Sequence, residues 1–327
     1  MHILITGAAG MIGRKLTARL VKDGGLNGRA IDRLTLTDIV APEAPTGFAG
    51  KVETWAEDLP APGVADKRLA SRPDVIFHLA GVVSGEAEVD LPKGYRVNLD
   101  GTRAVLEAIR NIGDGYKPRV VFTSSIAVFG APFPPAIPDE FHLTPLTSYG
   151  AQKVMCEQLL SDYTRKGILE GVGIRLPTIA VRPGKPNRAA SGFFSGIIRE
   201  PLNGDAAVLP VAETVTHTHA SPRSAVGFLI HAAGLPRDQV EPRINLTMPG
   251  VCCTVAEQIA ALRRVAGDKV AARIRREPDA LIERIVAGWP QRFDPKRATA
   301  LGFKAEGSFD EIIRVHIEED RGGTFVA

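Results

Sequence analysis

The stretch from His2 to Gly13 constrains this chain more than any other. A short apolar run, His2 to Thr6, leads directly into Gly7-Ala-Ala-Gly10-Met-Ile-Gly13, and Arg14 to Lys22 follows as a helix. An uninterrupted apolar run of this length suits a strand buried on both faces of a parallel sheet. Strand, glycine turn and helix in succession make a phosphate-binding context. Gly7 permits the tight turn, Gly10 lets a pyrophosphate approach the backbone, and Gly13 lets helix and strand pack closely. The amides of Met11 and Ile12, at the helix start, would face the phosphates.

The same rhythm repeats down the chain. Leu34 to Thr37 reads as a second strand ending at Asp38. A carboxylate there can accept hydrogen bonds from both hydroxyls of an adenosine ribose and would repel a 2′-phosphate, which favours NAD over NADP. The long spacing back to the glycines is assigned to an extended turn through Gly24-Gly25-Leu26-Asn27-Gly28. Val52 to Ala56, Asp74 to Leu79, Arg119 to Thr123 and Gly173 to Leu176 supply further strands, and Tyr95 to Ile112 reads as a helix. Strands and helices alternating in this way predict an α/β fold, a doubly wound parallel sheet. Residues 1–176 are expected to form the dinucleotide-binding domain and residues 177–327 a smaller substrate lobe, with segments free to interleave.

Ligands of such sheets bind beyond the carboxyl ends of the strands, so Ser125 is expected at the mouth of the cleft. Past Pro145 a helix begins, with Thr147 or Ser148 to cap it, and it carries Tyr149-Gly-Ala-Gln-Lys153. Positions four apart project from one side of a helix. A phenol and an ammonium would share one space, and the cation would lower the Tyr149 pKa from about 10 towards neutrality. Tyr149 thereby becomes a candidate proton acceptor, on the same rim as Ser125.

These stretches occur together and in order: Gly7 to Gly13, Asp58-Leu59, His78-Leu-Ala-Gly81, Asn98-Leu-Asp-Gly101-Thr102, Ser124 to Gly130 and Tyr149 to Lys153. The array resembles the extended short-chain dehydrogenase/reductases, the family of sugar-nucleotide epimerases and dehydratases, over roughly the first 180 residues. The resemblance implies that Ser125, Tyr149 and Lys153 are the catalytic set. Ser125 would hold the reacting oxygen and Tyr149 would take the hydroxyl proton while hydride leaves the same carbon. Lys153 would bind the nicotinamide ribose and hold the Tyr149 pKa down. It further implies that Asn98 supports this helix and a proton-relay water, that Asp58 and Leu59 contact the adenine, and that Leu79, Ala80 and Gly81 pass under the cofactor. Thr178 would meet the nicotinamide carboxamide. Phe129 stands where family members often carry Tyr, so that ring's hydroxyl is missing.

Beyond Pro177 the chain carries a cationic stretch, Arg182-Pro-Gly-Lys185-Pro-Asn187-Arg188, ahead of a helix near Ser191. A guanidinium fits a carboxylate in two-point fashion, but several cations in one loop can also hold a nucleotide diphosphate. The run from Arg175 to Pro201 resembles the branch of this family that oxidises the hydroxyl beside the carboxylate of a four-carbon sugar acid, D-erythronate, and more distantly the uronate dehydrogenases. That comparison implies Arg188 as the carboxylate anchor, Arg182 and Asn187 as its neighbours, and Ser84 as a partner of a substrate hydroxyl. A sugar-nucleotide epimerase or dehydratase that recycles its NAD is the alternative, and a cofactor-binding regulator without turnover a third.

Composition narrows the remaining classes. The formal net charge is +3 and the basic residues are dispersed, which argues against a nucleic-acid partner. The three cysteines, Cys156, Cys252 and Cys253, form no C-x-x-C pair and suit a reducing compartment. With no apolar stretch of bilayer length and no basic leader, the expectation is a cytoplasmic protein away from membranes. His217 and His219 could share one face of a strand, but no third ligand is evident and hydride transfer needs no metal, so pocket lining or hydrogen bonding is expected of them. Pairing of the helices around Asn98 and Tyr149 across a two-fold axis, to give a homodimer, is implied by the resemblance.

Overall fold

The computed structural model describes residues 1–184 and 190–327. Its central sheet has seven strands: β1 (His2–Thr6), β2 (Arg33–Asp38), β3 (Lys51–Ala56), β4 (Val75–His78), β5 (Arg119–Ser125), β6 (Glu170–Leu176) and β7 (Asn245–Thr247). They lie in the order β7-β6-β5-β4-β1-β2-β3. β1 pairs in parallel with β2 and β4, β2 with β3, and β4 with β5. Ile3, Leu4 and Ile5 are buried, as an uninterrupted apolar strand at the centre of a parallel sheet requires. The six main strands fall where the sequence predicts them, with ends shifted by up to three residues. β7 had no counterpart in the sequence reading.

Strand order reverses between β1 and β4. Right-handed crossovers then carry the connections on either side of that point to opposite faces, opening a crevice at the carboxyl ends of β1 and β4. The glycine turn follows β1 at this place. Gly7 has φ +73°, and a Cβ there would lie 2.6 Å from the Ala80 nitrogen, in the turn that follows β4. Gly13 lies in helix α1 (Met11–Asp23), and a Cβ there would lie 2.7 Å from the Ala8 Cα. Neither clash can be relieved by a side-chain movement, because the obstructing atoms are backbone. The expected extended turn is a small hairpin, Gly25–Leu26 against Arg29–Ala30, and it absorbs the extra residues before Asp38.

Two helical segments depart from regular geometry or depend on capping. The expected helix from Tyr95 to Ile112 begins as a short turn at Leu91–Gly94, widens to a π-helix over Tyr95–Asp100 and continues as α2 (Gly101–Ile112). Helix α3 (Ser148–Arg165) is capped by Thr147, whose hydroxyl accepts from the Gly150 N–H at 3.1 Å. Its register is held from the buried side. Glu157, 0% exposed, accepts from the Ser124 hydroxyl at 2.5 Å and from both arms of Arg175, at 2.9 and 2.7 Å.

The chain divides into two compact units, 1–128 with 147–175 and 226–246, and 129–146 with 176–225 and 247–327. The second unit has its own three-stranded sheet, Thr178–Ile179, Thr216–Ala220 and Val251–Thr254, and a core of Phe194, Ile198, Leu262 and Ile313. Thr254 and Glu257 form a reciprocal capping box. At Ser308 the cap is made, but Glu311 turns back to the Gly307 N–H instead of that of Ser308. Phe129 is buried against the rings of Phe141 and Phe293, a setting that suits a ring without a hydroxyl. No helix among the described residues is long and apolar enough to cross a membrane.

Removing one partner of the Glu157–Arg175 pair leaves a buried charge uncompensated. Arg175→Leu is expected to cost roughly 3–5 kcal/mol of stability, read as a lower urea midpoint. His78 offers a second check. It is fully buried between the hydroxyls of Thr6 (2.7 Å) and Thr102 (2.9 Å). Burial, reinforced by the Lys153 ammonium, pushes its pKa down to about 3. An unfolded histidine titrates near 6.5, so stability from neutral His78 is complete above that pH. It is lost as pH falls towards 3, at up to about 1.4 kcal/mol per pH unit. Between pH 6 and 4 the fall in urea-unfolding free energy should be shallower in His78→Gln than in the unaltered chain.

Candidate active site

Above the carboxyl ends of β1 and β2 the backbone offers donors and one carboxylate. Helix α1 is preceded by Gly10, which has no side chain to cap it, and its first turn holds no acidic residue, so among the described residues no side chain caps the amides of Met11 and Ile12. Such a terminus carries partial positive charge and suits phosphate oxygens. Asp38 closes β2, and its carboxylate accepts from the Ala9 N–H (2.9 Å) and the Ile39 N–H (2.7 Å). These two bonds tie the acid to the glycine turn and fix its direction. Uncapped amides beside a fixed carboxylate fit a dinucleotide with a free ribose diol. Asp58, expected at the adenine, pairs with Arg96 at 2.5 Å, and Leu59 is buried.

The Tyr149–Lys153 pair lies on α3 as its spacing predicts. Lys153 is only 4% exposed. Its ammonium donates to the Thr123 carbonyl at 2.8 Å and lies 4.8 Å from the centre of the Phe122 ring and 5.6 Å from that of Tyr149. The carbonyl and the ring faces offset part of the cost of burying the charge. Ser125 ends β5, where its hydroxyl accepts from the Ala127 N–H at 3.1 Å in the following 3₁₀ turn. That bond leaves the hydroxyl proton for another acceptor.

Asn98 lies in the π-helical turn, with its side chain directed at the segment after β4. Its Oδ1 accepts from the Val82 N–H at 2.9 Å and its Nδ2 donates to the Val82 carbonyl at 3.3 Å. A Cβ at Gly81 would come within 2.9 Å of that Oδ1 and 3.8 Å of the Lys153 ammonium. Leu79, Ala80, Gly81, Asn98 and Lys153 are thus neighbours. Ser84 opens the short helix Ser84–Val89 just beyond. Within the same unit, sequence reasoning missed Gln152, Glu157 and Arg175. Arg175 is a guanidinium inside an otherwise apolar strand, and that mismatch was the available signal; Gln152 and Glu157 share the buried side of α3 with Lys153 and Thr164, so nothing comparable marks them.

In the second unit, Thr178 meets His217 at 2.7 Å (Oγ1 to Nε2). Burial pushes the His217 pKa down to about 4 and that of His219 well below its ordinary value. Both rings pack on Phe194, and His219 bonds Gln258 at 2.8 Å, so hydrogen bonding and packing occupy them. Arg182 donates to the Ile179 carbonyl and the Ser191 hydroxyl, both at 3.0 Å, which turns part of its guanidinium towards its own loop. Lys185, Asn187 and Arg188 lie outside the described residues.

Comparison with known proteins bears on the whole chain. Residues 3–220 match the model of the NAD dependent epimerase/dehydratase family. The chain is 48% identical over 323 residues to a D-erythronate dehydrogenase of Cupriavidus necator, covering 98% of each protein. It is 41% identical to a D-erythronate dehydrogenase of Haemophilus influenzae, covering 98% of this chain and 100% of that protein. Among solved structures, a nucleoside-diphosphate-sugar epimerase from Agrobacterium tumefaciens superposes with a TM-score of 0.97 at 65% identity, covering 99% of this chain and 95% of the other. This chain belongs to the NAD dependent epimerase/dehydratase family, the extended short-chain dehydrogenase/reductases.

Proposed function

We propose that this NAD-dependent oxidoreductase oxidises the 2-hydroxyl of a small sugar acid, with D-erythronate converted to 2-oxo-tetronate as the specific reaction. The observation that carries the proposal is the near full-length likeness to two D-erythronate dehydrogenases, which extends through the substrate lobe as well as the dinucleotide-binding part. NAD, when bound, supplies the acceptor for the hydride that leaves C2. The chain's residues handle the proton and the geometry. Tyr149, as phenolate, takes the proton of the hydroxyl while the C–O bond becomes a carbonyl. Ser125 donates its free hydroxyl proton to the same oxygen. Lys153, held by the Thr123 carbonyl beside Tyr149, keeps two further N–H bonds for the ribose hydroxyls.

In this reading Met11 and Ile12 hold the pyrophosphate, Asp38 the adenosine ribose, Asp58 and Leu59 the adenine, and Leu79 to Gly81 the underside of the cofactor. Thr178, hydrogen-bonded to His217, presents its hydroxyl to the carboxamide. Arg188 binds the substrate carboxylate with Asn187 beside it, Arg182 has a lesser part, and Ser84 holds a substrate hydroxyl. Residues 1–176 serve mainly the cofactor and 177–327 the acid. A cytoplasmic homodimer completes the proposal. The likeness to the Agrobacterium tumefaciens structure supports a second reading, epimerisation of a nucleotide sugar with NAD recycled.

Net NADH formation separates the two. With purified enzyme and NAD, absorbance should rise on D-erythronate, more slowly or not at all on hexuronates, and not on a UDP-sugar. Conversion of the UDP-sugar with no NADH from any acid would transfer the assignment to the epimerase reading. Tyr149→Phe should lower kcat by roughly 10²–10⁴-fold, and Arg188→Ala should act chiefly on KM for the acid. For cofactor choice, the Asp38 carboxylate should disfavour NADP, and Asp38→Ser should narrow the NAD/NADP ratio of kcat/KM by at least about tenfold. An unchanged ratio would remove Asp38 from the ribose site.

A further inference from the structure

Gln152 stands between Tyr149 and Lys153 on α3 and is 0% exposed, although an amide is a costly group to bury there. Its surroundings determine which way it faces. The Val82 N–H needs an acceptor and the Val82 carbonyl a donor, so Asn98 must present Oδ1 to the first (2.9 Å) and Nδ2 to the second (3.3 Å). The remaining N–H of Nδ2 then points at Gln152, 2.7 Å away, and requires an oxygen. Gln152 must therefore offer Oε1 to Asn98 and turn Nε2 the other way. That nitrogen is buried without a partner among the described residues. It is wedged against the short helices over residues 84–94, since a Cβ at Gly94 would lie 2.7 Å from Nε2 and 3.1 Å from the Ala87 Cβ.

We infer that Gln152 is a positioning residue that sets the Gly81–Ser84 segment, acting through Asn98. Two amides in series connect the helix of the proton acceptor to the turn that follows β4. Asn98 engages both backbone groups of Val82, so a rotation of its amide releases both at once. Val82 lies between Gly81, beneath the cofactor, and Ser84, at the substrate. The helix that carries Tyr149 and Lys153 thus also fixes the turn on which both ligands rest. This rests on the functional reading for the identity of the ligands, but the coupling itself lies in the fold and can be tested without them.

Amide hydrogen exchange of the peptide spanning Leu79 to Glu86 gives a ligand-free readout. Gln152→Met keeps the length and removes the acceptor oxygen, and it should speed exchange in that peptide at least tenfold while α3 stays protected. Gln152→Glu, which restores an oxygen facing Asn98, should recover most of the protection. If Gln152→Met does not fold, Gln152→Asn, one methylene short of Asn98, carries the same test. NAD affinity by titration calorimetry adds a double-mutant cycle. Gln152→Met should raise Kd about tenfold, and Gln152→Met with Asn98→Ala should bind no more weakly than Asn98→Ala alone. Unchanged exchange in the Leu79–Glu86 peptide, or additive losses in the cycle, would overturn the proposal. An unaltered chain that binds NAD yet makes no NADH from any acid would count against the functional reading and leave the exchange result intact.

Discussion

The site depends on one buried ion pair. Glu157 lies one helical turn beyond Lys153, Ser124 immediately before Ser125, and Arg175 near the end of β6. Two parallel N–H···O bonds from Arg175 and a third from the Ser124 hydroxyl satisfy the carboxylate inside the protein. An apolar trio of the same volume could contribute as much to stability. It could not choose one rotation of α3, because apolar surfaces slide and hydrogen bonds do not. One residue of helical rotation turns a side chain by about 100°, enough to take Tyr149 and Lys153 out of the space they share. The pair fixes that rotation against β6, and the Ser124 bond ties it to the very strand that ends in Ser125.

A second chain of polar contacts runs beneath the glycine turn. The Thr6 hydroxyl meets His78 and also receives the Ala80 N–H at 3.3 Å, while the other nitrogen of His78 meets Thr102. Thr102 in turn donates to the Asn98 carbonyl at 2.6 Å, and the Cys156 thiol donates to the same oxygen at 3.2 Å. That carbonyl belongs to the π-helical turn over Tyr95–Asp100. An i→i+5 turn inside an α-helix displaces the ladder and leaves a carbonyl for side-chain donors. The same widening aims the Asn98 amide at Val82. Cys156, whose thiol pKa is raised by burial, has a structural use here and lacks the properties of a reactive thiolate.

Legibility followed range. The strand–glycine–helix opening, Asp38 at a strand end, and Tyr149 with Lys153 are local patterns, and local geometry is what periodicity and spacing encode. The π-helical turn was not legible because a π-turn inserts one residue into a pattern whose apolar positions still read as helical. Arg175 was present as an anomaly, a guanidinium in an otherwise apolar strand, but its pairing with Glu157 joins residues from different elements. β7 begins 69 residues beyond the end of β6 and is three residues long, too short for periodicity to register. Arg182 was legible as a cation, whereas its bonds to the Ile179 carbonyl and the Ser191 hydroxyl are tertiary contacts.

What these constraints accomplish is the presentation of a single buried cation. Lys153 is nearly inaccessible, and among the described residues its one hydrogen bond is to the Thr123 carbonyl. An ammonium has three donors, so two remain unmet in an interior where unmet donors are costly. Among the described residues no carboxylate forms an ion pair with it. Phe122 and Tyr149 offer ring faces, and His78, held neutral by burial, adds no competing positive charge. A cation so placed favours whatever brings oxygens and negative charge to it. In the proposed function a ribose diol would supply the first and the Tyr149 oxygen the second. The fold's investment in holding Lys153 rigidly, through Thr123 on one side and the Glu157-anchored helix on the other, is intelligible if a negative oxygen must form beside it and vanish again in every turnover.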